Sequence, residues 1–292
     1  MAASGSAVDR PIYQFHIPKT GGRTIEKFLS SRVHQRAVLD PRRNRAIHSD
    51  IFLGRKNVDH RVVDPARPSK PHVVGHYASF SFIARCPEAY LKVCFWRHPA
   101  DWMLSFYNHR QHRNRHRFVR SYEFESFCRS MLRNAMTEHL LLHCGDVSGL
   151  RYFFMSDRAK FLAAMRLVER FDLFQDISTV DAFLAMVRGE GEGTPRDYNR
   201  IETSAKIRTS LDPELRQRIA ATNLIDTYLH RVALGEDRAR ITEEANRTLA
   251  SKFDPRDLWR LARLPLYRLS IWVLPRWRFA GPAATAASPQ RR

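Results

Sequence analysis

The sequence predicts an α/β fold, with a central parallel sheet flanked by helices, from two strand–helix units and the distance between them. The first unit is the apolar run 11–17, followed from Ile25 by apolar residues at the spacing of one helix face. The second unit is the apolar run 89–96, followed by a helical pattern over residues 100–107, with Pro99 suited to its first turn. About 75 residues separate the two units, which leaves room for one further connection between strands of a parallel sheet.

Helix start signals and apolar periodicity predict further helices in the second half of the chain. Ser121, Asp157 and Ser178 are candidate N-caps, and Asp212 followed by Pro213 is a clear helix start. The predicted helices span residues 121–143, 157–170, 178–189, 212–230 and 238–251.

Composition divides the chain into a disordered N-terminus, one α/β domain with a helical C-terminal part, a basic aromatic segment and a disordered tail. These parts are expected at residues 1–10, 11–255, 256–280 and 281–292. Segment 256–280 alternates apolar residues with Arg and could make a peripheral contact with an anionic membrane surface. The alternative is a pair of short helices packed on the domain and broken at Pro265 and Pro275.

The stretch between the first strand and its helix has the composition of a phosphate-binding loop. It runs F-H-I-P-K-T-G-G-R-T, from Phe15 to Thr24. Two glycines let the backbone approach an anion closely, the helix N-terminus adds partial positive charge, and Lys19 supplies a full charge. The nucleoside-triphosphatase loop does not fit, because Lys19 precedes the glycines, and the dinucleotide fingerprint is absent. The simpler alternative is an ordinary Gly-Gly turn before a helix.

The order P-K-T-G-G-x-T after a strand resembles the 5′-phosphosulfate loop of sulfotransferases, particularly the branch with the heparan sulfate 2-O- and 6-O-sulfotransferases and bacterial relatives. The resemblance implies a P-loop-like α/β fold and the co-substrate 3′-phosphoadenosine 5′-phosphosulfate. It also implies that Lys19 stabilises charge developing on the leaving phosphate oxygen. The residues that would bind the 5′-phosphate are Lys19, Thr20, Gly21, Gly22, Arg23 and Thr24.

A second candidate phosphate site follows the strand at 89–96. The stretch R-H-P-x-x-x-x-x-S-x-Y places Arg97 at the strand end and Ser105 within the following helix. Arginine offers a planar fork of donors to phosphate oxygens, and a helix serine adds a neutral donor. The pattern resembles the family's 3′-phosphate site, which implies that Arg97 and Ser105 hold that phosphate. The alternative is a surface arginine at a strand end and a serine tolerated within a helix.

Between these motifs, a short β-branched run leads into Gly75 and His76. The segment resembles the one that carries the family's catalytic base, which implies that role for His76. A hydroxyl acceptor must lose its proton as its oxygen attacks sulfur, and histidine suits that task near neutral pH. The chain has 13 histidines, and a lone histidine is more often hydrogen-bonded in a core, so only its position between the two phosphate motifs singles out His76.

The resemblance continues more weakly downstream and covers roughly residues 11–235. Residues 134–140 look like the family's N-x-x-T helix, and residues 171–184 look like its late strand–helix unit. Two departures concern the run 174–176, where relatives commonly have a Val-Gly-Leu type sequence, and Arg23, where Thr or Ser is common. They affect the expected acceptor and fine cofactor contacts rather than the reaction class.

Charge and cysteine content restrict the partners. The chain has 49 Lys and Arg against 30 Asp and Glu, a formal net charge of +19. The basic residues are spread along the chain without a nucleic-acid motif or an aromatic stacking platform, so no specific nucleic-acid partner is expected. A polyanionic co-substrate and an acidic acceptor account for the charge. Four scattered cysteines without C-x-x-C pairs argue against zinc, and no metal is expected.

The expected function is therefore that of a sulfotransferase that acts on a hydroxyl of an acidic acceptor, first of all a glycan. A tyrosine-containing acidic peptide satisfies the same electrostatics and is the alternative acceptor. Alternatives from other classes are a non-catalytic nucleotide- or polyanion-binding protein and a kinase with a non-standard loop. An N-terminus without an apolar signal core and the lack of any apolar run of about 18 residues predict a cytoplasmic protein.

Overall fold

A computed structural model describes residues 10–22, 24–25, 28, 37–38, 73–75, 80, 87–114, 123–131, 133–145, 147–188 and 211–252. The chain divides into two units, Met1–Ser251 and Lys252–Arg292, and every element below belongs to the first unit. Segment 256–280 lies outside the described residues, so the predicted domain boundary and the membrane contact stay predictions.

The described residues form a five-stranded sheet in which every pairing is parallel. The strands are β1 Ile12–Phe15, β2 Ala37–Val38, β3 Val73–Gly75, β4 Leu91–Trp96 and β5 Leu173–Asp176. Their order across the sheet is β2-β3-β1-β4-β5, so β1 lies at the centre between β3 and β4. The predicted α/β class with a parallel sheet is confirmed.

Helices flank this sheet. The described ones are α1 Pro99–Asn114, α2 Phe124–Ser130, α3 Ala135–His139, α4 Gly149–Phe154, α5 Asp157–Val168, α6 Val180–Arg188, α7 Pro213–Thr222, α8 Leu224–Ala233 and α9 Arg238–Thr248. A π-helical turn, Leu140–Cys144, continues α3. After β1, Gly22, Thr24, Ile25 and Phe28 have helical geometry. Within the described segments, no helix has both the length and the hydropathy needed to span a bilayer.

Two predicted helices are interrupted in the structure. The helix predicted over residues 121–143 begins only at Phe124 and breaks before Asn134, which adopts a left-handed φ of 54°. The helix predicted over residues 212–230 breaks at Asn223, between α7 and α8. Asparagine tolerates such non-helical backbone better than most residues, which makes it a suitable helix boundary.

The sheet is covered by apolar side chains on both faces. One face contributes Ile12, Val93 and Phe95 to a cluster with Phe183 and Leu184 of α6. Rings pack on the other side, among them Trp96 against Phe174, with centroids 5.4 Å apart, and Tyr13 against Phe80 at 5.3 Å. Because parallel strands are buried on both faces, polar chemistry is left to the ends of the strands.

A buried polar cluster of Asn134, Thr137, Asn223 and Asp226 joins α3 to α8. Asp226 accepts hydrogen bonds from the backbone N–H groups of Met136 and Thr137, at 3.2 and 2.9 Å, and from the Thr137 hydroxyl at 2.6 Å. The Asn134 side chain accepts in return from two backbone N–H groups at the start of α8. Each helix therefore caps the N-terminus of the other, and this set of four residues is called the buried cluster below.

Candidate functional site

The carboxyl ends of β1 and β4 lie side by side at the point where the chain connections diverge. After β1 the chain next enters the sheet at β2, on one side, and after β4 it enters at β5, on the other. Such a divergence leaves a crevice outside the carboxyl ends of the strands, where open α/β sheets bind their ligands. Lys19 follows β1 and Arg97 follows β4, so both phosphate motifs predicted from the sequence lie at this edge.

The loop after β1 is a tight turn with alternating backbone handedness. Lys19 has a φ of 70° and Gly21 a φ of 80°, with Thr20 between them. The Thr20 hydroxyl is buried and donates to the carbonyl of Ile17 at 2.9 Å, and the Thr24 N–H donates to the Gly21 carbonyl at 2.9 Å. Curled backbone of this kind at the start of a helix turns N–H groups toward one concave point, which suits an anion.

Gly22 is required by a close neighbour rather than by its own dihedral angles. A Cβ atom at this position would lie 2.0 Å from the ring of His16. His16 is itself buried, at 6% exposure, so the ring has little room to withdraw. The two glycines are therefore required for different reasons: Gly21 adopts a positive φ, and Gly22 leaves space for the His16 ring.

Arg97 connects the two predicted phosphate motifs directly. Its guanidinium donates from Nη1 to the backbone carbonyl of Lys19 at 3.3 Å. One turn into α1, the indole Nε1 of Trp102 donates to the carbonyl of Pro18 at 2.6 Å. Burial lowers the pKa of Arg97, and the nearby carboxylates of Asp101 and Asp176 partly offset that effect.

An arginine from α7 is also part of this edge, which the sequence did not indicate. The Arg216 guanidinium binds both carboxylate oxygens of Asp101, with N–O distances of 2.6 and 2.8 Å. Burial raises the pKa of Asp101, but the hydrogen bonds and charge of Arg216 outweigh it and hold the pKa below its ordinary value. A two-point pair of this kind fixes geometry as well as charge.

Asp176 and His230 form a second pair at the end of β5. The ring Nε2 of His230 lies 3.0 Å from Asp176 Oδ2, and the Ser178 N–H donates to Asp176 Oδ1 at 2.9 Å. Burial raises the pKa of Asp176, but the bonds with Ser178 and His230 reverse this and hold it below its ordinary value. Asp176 aligns with Trp96 across the sheet, which places this pair beside Arg97.

His98 lies between these two pairs. Its ring meets that of His230 edge to face, with centroids 5.2 Å apart, and its Nδ1 accepts from the Ala100 N–H at 3.3 Å. Burial lowers the pKa of His98 to about 4, and the charges of Arg216 and His230 act in the same direction. The side chain is therefore held neutral at physiological pH.

The other predicted site residues are placed only in part. Ser105 lies in the second turn of α1 and is partly exposed. His76 and Arg23 lie outside the described residues. β3 ends at Gly75, which aligns with Phe15 at the end of β1.

This edge cluster combines three cationic side chains, two carboxylates and two imidazoles. Its members are Lys19, Arg97, His98, Asp101, Asp176, Arg216 and His230. The three cations outnumber the two carboxylates, so the cluster can hold an anion. Across the described residues, no group of three or more His, Cys, Asp and Glu side chains could hold a metal ion.

The fold and the edge cluster define an α/β protein with a cation-rich cluster at the carboxyl ends of a parallel sheet. Comparisons of the chain with protein-family models, with curated proteins and with solved structures find no match.

Proposed function

We propose that the protein is a sulfotransferase that uses 3′-phosphoadenosine 5′-phosphosulfate and has the P-loop-like fold of that family. The observation that carries the proposal is the hydrogen bond from Arg97 to the carbonyl of Lys19. It joins the candidate loop for the 5′-phosphate to the candidate arginine for the 3′-phosphate, at the divergence of a parallel sheet. A nucleotide with phosphates at both ends of its ribose needs two anion sites at close range.

In the proposed reaction, the loop 19–24 holds the 5′-phosphate, and Arg97 with Ser105 holds the 3′-phosphate. The acceptor oxygen attacks sulfur in line, and the bond between sulfur and the bridging phosphate oxygen breaks. Lys19 stabilises the charge that develops on that leaving oxygen, and His76 is the sequence-based candidate for the base that takes the hydroxyl proton. The products are the sulfated acceptor and 3′,5′-diphosphoadenosine.

The proposed acceptor is acidic, and a glycan hydroxyl is the first candidate. A net charge of +19 concentrates anions around the protein and speeds their encounter with the crevice. A tyrosine between acidic residues in a peptide would benefit in the same way, so the two acceptor classes are separated by the transfer experiment.

The experiment uses donor labelled with radioactive sulfate, a set of acidic glycans and acidic tyrosine peptides, and identification of the labelled product. We expect transfer by the wild-type protein and a loss on the order of 10²–10³-fold in turnover for Lys19→Ala, because that side chain acts on developing charge. Lys92→Ala is the matched control, since Lys92 lies at the other end of β4 and pairs with Asp172 at 3.4 Å.

Three results would contradict the proposal. Tight binding of the donor without transfer to any acceptor would indicate a nucleotide-binding protein. Metal-dependent turnover of ATP would indicate a kinase. Equal activity of the Lys19→Ala and Lys92→Ala variants would remove Lys19 from the reaction.

A further inference from the structure

Arg97 has two carboxylates as neighbours, and both are bonded elsewhere. Asp101 and Asp176 each act electrostatically on the Arg97 guanidinium. Yet Asp101 is held at two points by Arg216, and Asp176 is held by His230 and by the Ser178 N–H. Within the described part of the chain, neither carboxylate is ion-paired with Arg97.

A half-buried guanidinium next to an unengaged carboxylate would form an ion pair with it, because the attraction is strong away from bulk water. Such an internal pair would compete with any external anion for the same donors. The contacts seen here reduce that competition, because the oxygens of both carboxylates already accept hydrogen bonds from other partners.

We propose that Arg216 and His230 are positioning residues that keep Arg97 available for a phosphate group by engaging Asp101 and Asp176. The proposal rests on the proposed function, which gives Arg97 its phosphate. It adds two residues, from α7 and α8, that the sequence pattern did not connect with nucleotide binding.

His230 is carried on a helix that is bonded to the sheet, and Arg216 on the first turn of another helix. The carbonyl of Asp226 in α8 accepts from the indole Nε1 of Trp96, the last residue of β4, at 3.1 Å. His230 follows Asp226 by one helical turn, so the buried cluster sets its position relative to Asp176. Arg216 lies in the first turn of α7, where its N–H donates to the carbonyl of Asp212 at 2.9 Å.

The test measures the affinity of 3′,5′-diphosphoadenosine by calorimetry. Arg216→Ala frees Asp101 to bind Arg97, and we expect affinity to fall roughly 5- to 30-fold. Adding Asp101→Asn removes the released carboxylate and should restore most of the affinity. Adding Asp176→Asn instead changes the net charge by the same amount but leaves Asp101 free, so it should restore much less.

His230→Ala tests the second pair. We expect roughly a 3- to 10-fold loss of affinity, because Asp176 becomes able to pair with Arg97, and Asp176→Asn in the same chain should reverse it. A purely structural role for His230 would not be rescued by that second substitution.

Arg231→Ala is the matched control. Arg231 lies next to His230 in α8 but pairs with Glu236 and Glu244, both at 2.9 Å, away from the edge cluster. It should leave affinity unchanged, with folding of each variant checked by circular dichroism.

Inorganic pyrophosphate, which needs only an anion site, is measured in parallel. If pyrophosphate binds and its affinity falls in the variants, while 3′,5′-diphosphoadenosine does not bind, the proposed function fails and the role of the two pairs stands. The inference is overturned if Arg216→Ala and His230→Ala leave both affinities unchanged. It is also overturned if Asp101→Asn and Asp176→Asn restore the affinity of the Arg216→Ala variant equally. Binding of neither probe by the wild type overturns both.

Discussion

The buried cluster and the edge cluster are both polar and both joined by carboxylates, but they differ in how fully their groups are engaged. In the buried cluster, Asn134 is 5% exposed, Thr137 0% and Asp226 2%. Asp226 there accepts three hydrogen bonds from donors that belong to the protein. A cluster that satisfies itself in this way has no capacity for a ligand and holds helices together.

The edge cluster is organised in the opposite way. Asp176 is buried, but the other side chains of the edge cluster are only partly buried. Its three cations outnumber its two carboxylates, Asp101 and Asp176, which Arg216 and His230 engage. Excess charge next to solvent is not a stabilising arrangement in itself. The comparison indicates that a structural cluster differs from a candidate binding site in how fully its polar groups are bonded within the protein, and not in how many polar groups it has.

The largest expected effect is on stability, at the buried cluster. Asp226→Ala leaves three donors without their acceptor, and we expect a loss of about 3–5 kcal/mol in the free energy of unfolding, measured in urea. Asp237→Ala is the matched control, because Asp237 also accepts from a backbone N–H, that of Ala239 at 2.8 Å, but at an exposed helix start. That variant should lose about 1 kcal/mol. Equal losses would show that the buried cluster is not the stronger structural element.

The next effect is on binding, at the edge cluster. Arg97→Ala should weaken the binding of 3′,5′-diphosphoadenosine by roughly 10- to 150-fold, or about 1.5–3 kcal/mol, because charge-assisted bonds to the 3′-phosphate are lost. Adenosine 5′-monophosphate, which lacks that phosphate, should be affected far less in the same calorimeter. Ser105→Ala should likewise weaken 3′,5′-diphosphoadenosine binding more than adenosine 5′-monophosphate binding, but by a smaller factor. Equal losses for both nucleotides would place Arg97 away from the 3′-phosphate.

A smaller effect is expected at the loop itself. Gly22→Ala places a methyl group against the His16 ring, and we expect a loss of about 1–2 kcal/mol in stability together with weaker nucleotide binding. Gly235→Ala is the control: its φ is positive, at 87°, unlike that of Gly22, but a Cβ there meets nothing within 4 Å. Thermal unfolding and calorimetry compare the two. If Gly235→Ala weakened nucleotide binding as much, the spatial role of Gly22 would be wrong.

A dependence of stability on pH is also expected. The pKa of His98 is about 4 in the folded chain against an ordinary value of 6.5. The folded state therefore prefers the neutral ring, and this contribution is complete above pH 6.5 and is lost as the pH falls toward 4. The stability of the wild type relative to His98→Asn should decrease as the pH falls from 6.5 to 4. Parallel curves for the two proteins would contradict the assignment.

Local patterns predicted the elements that depend on neighbours in sequence. Apolar runs predicted β1 and β4, and Pro99 at the start of α1 followed from its fixed φ. Lys19 and Arg97 were found because each directly follows such a run. The break at Asn134 was missed because it depends on a bond to Asn223, far away in the chain.

The two carboxylate pairs could not be predicted for the same reason. Asp101 and Arg216 are 115 residues apart, and Asp176 and His230 are 54 apart. The run 174–176 stood out as a departure from the family pattern, but nothing in the sequence indicated that Asp176 would meet a histidine from α8. Only the packing of α7 and α8 onto the sheet brings these partners together.

The bonds to the carbonyls of Pro18 and Lys19 have a consequence for the kinetics of association. Trp102 and Arg97 hold the loop after β1 in its curled shape through bonds that the protein itself supplies. An incoming anion therefore need not wait for the loop to close, and the protein loses little backbone freedom on binding. The association rate should then follow the frequency of collision and fall with added salt, as charge steering requires, rather than reach a plateau set by a conformational step.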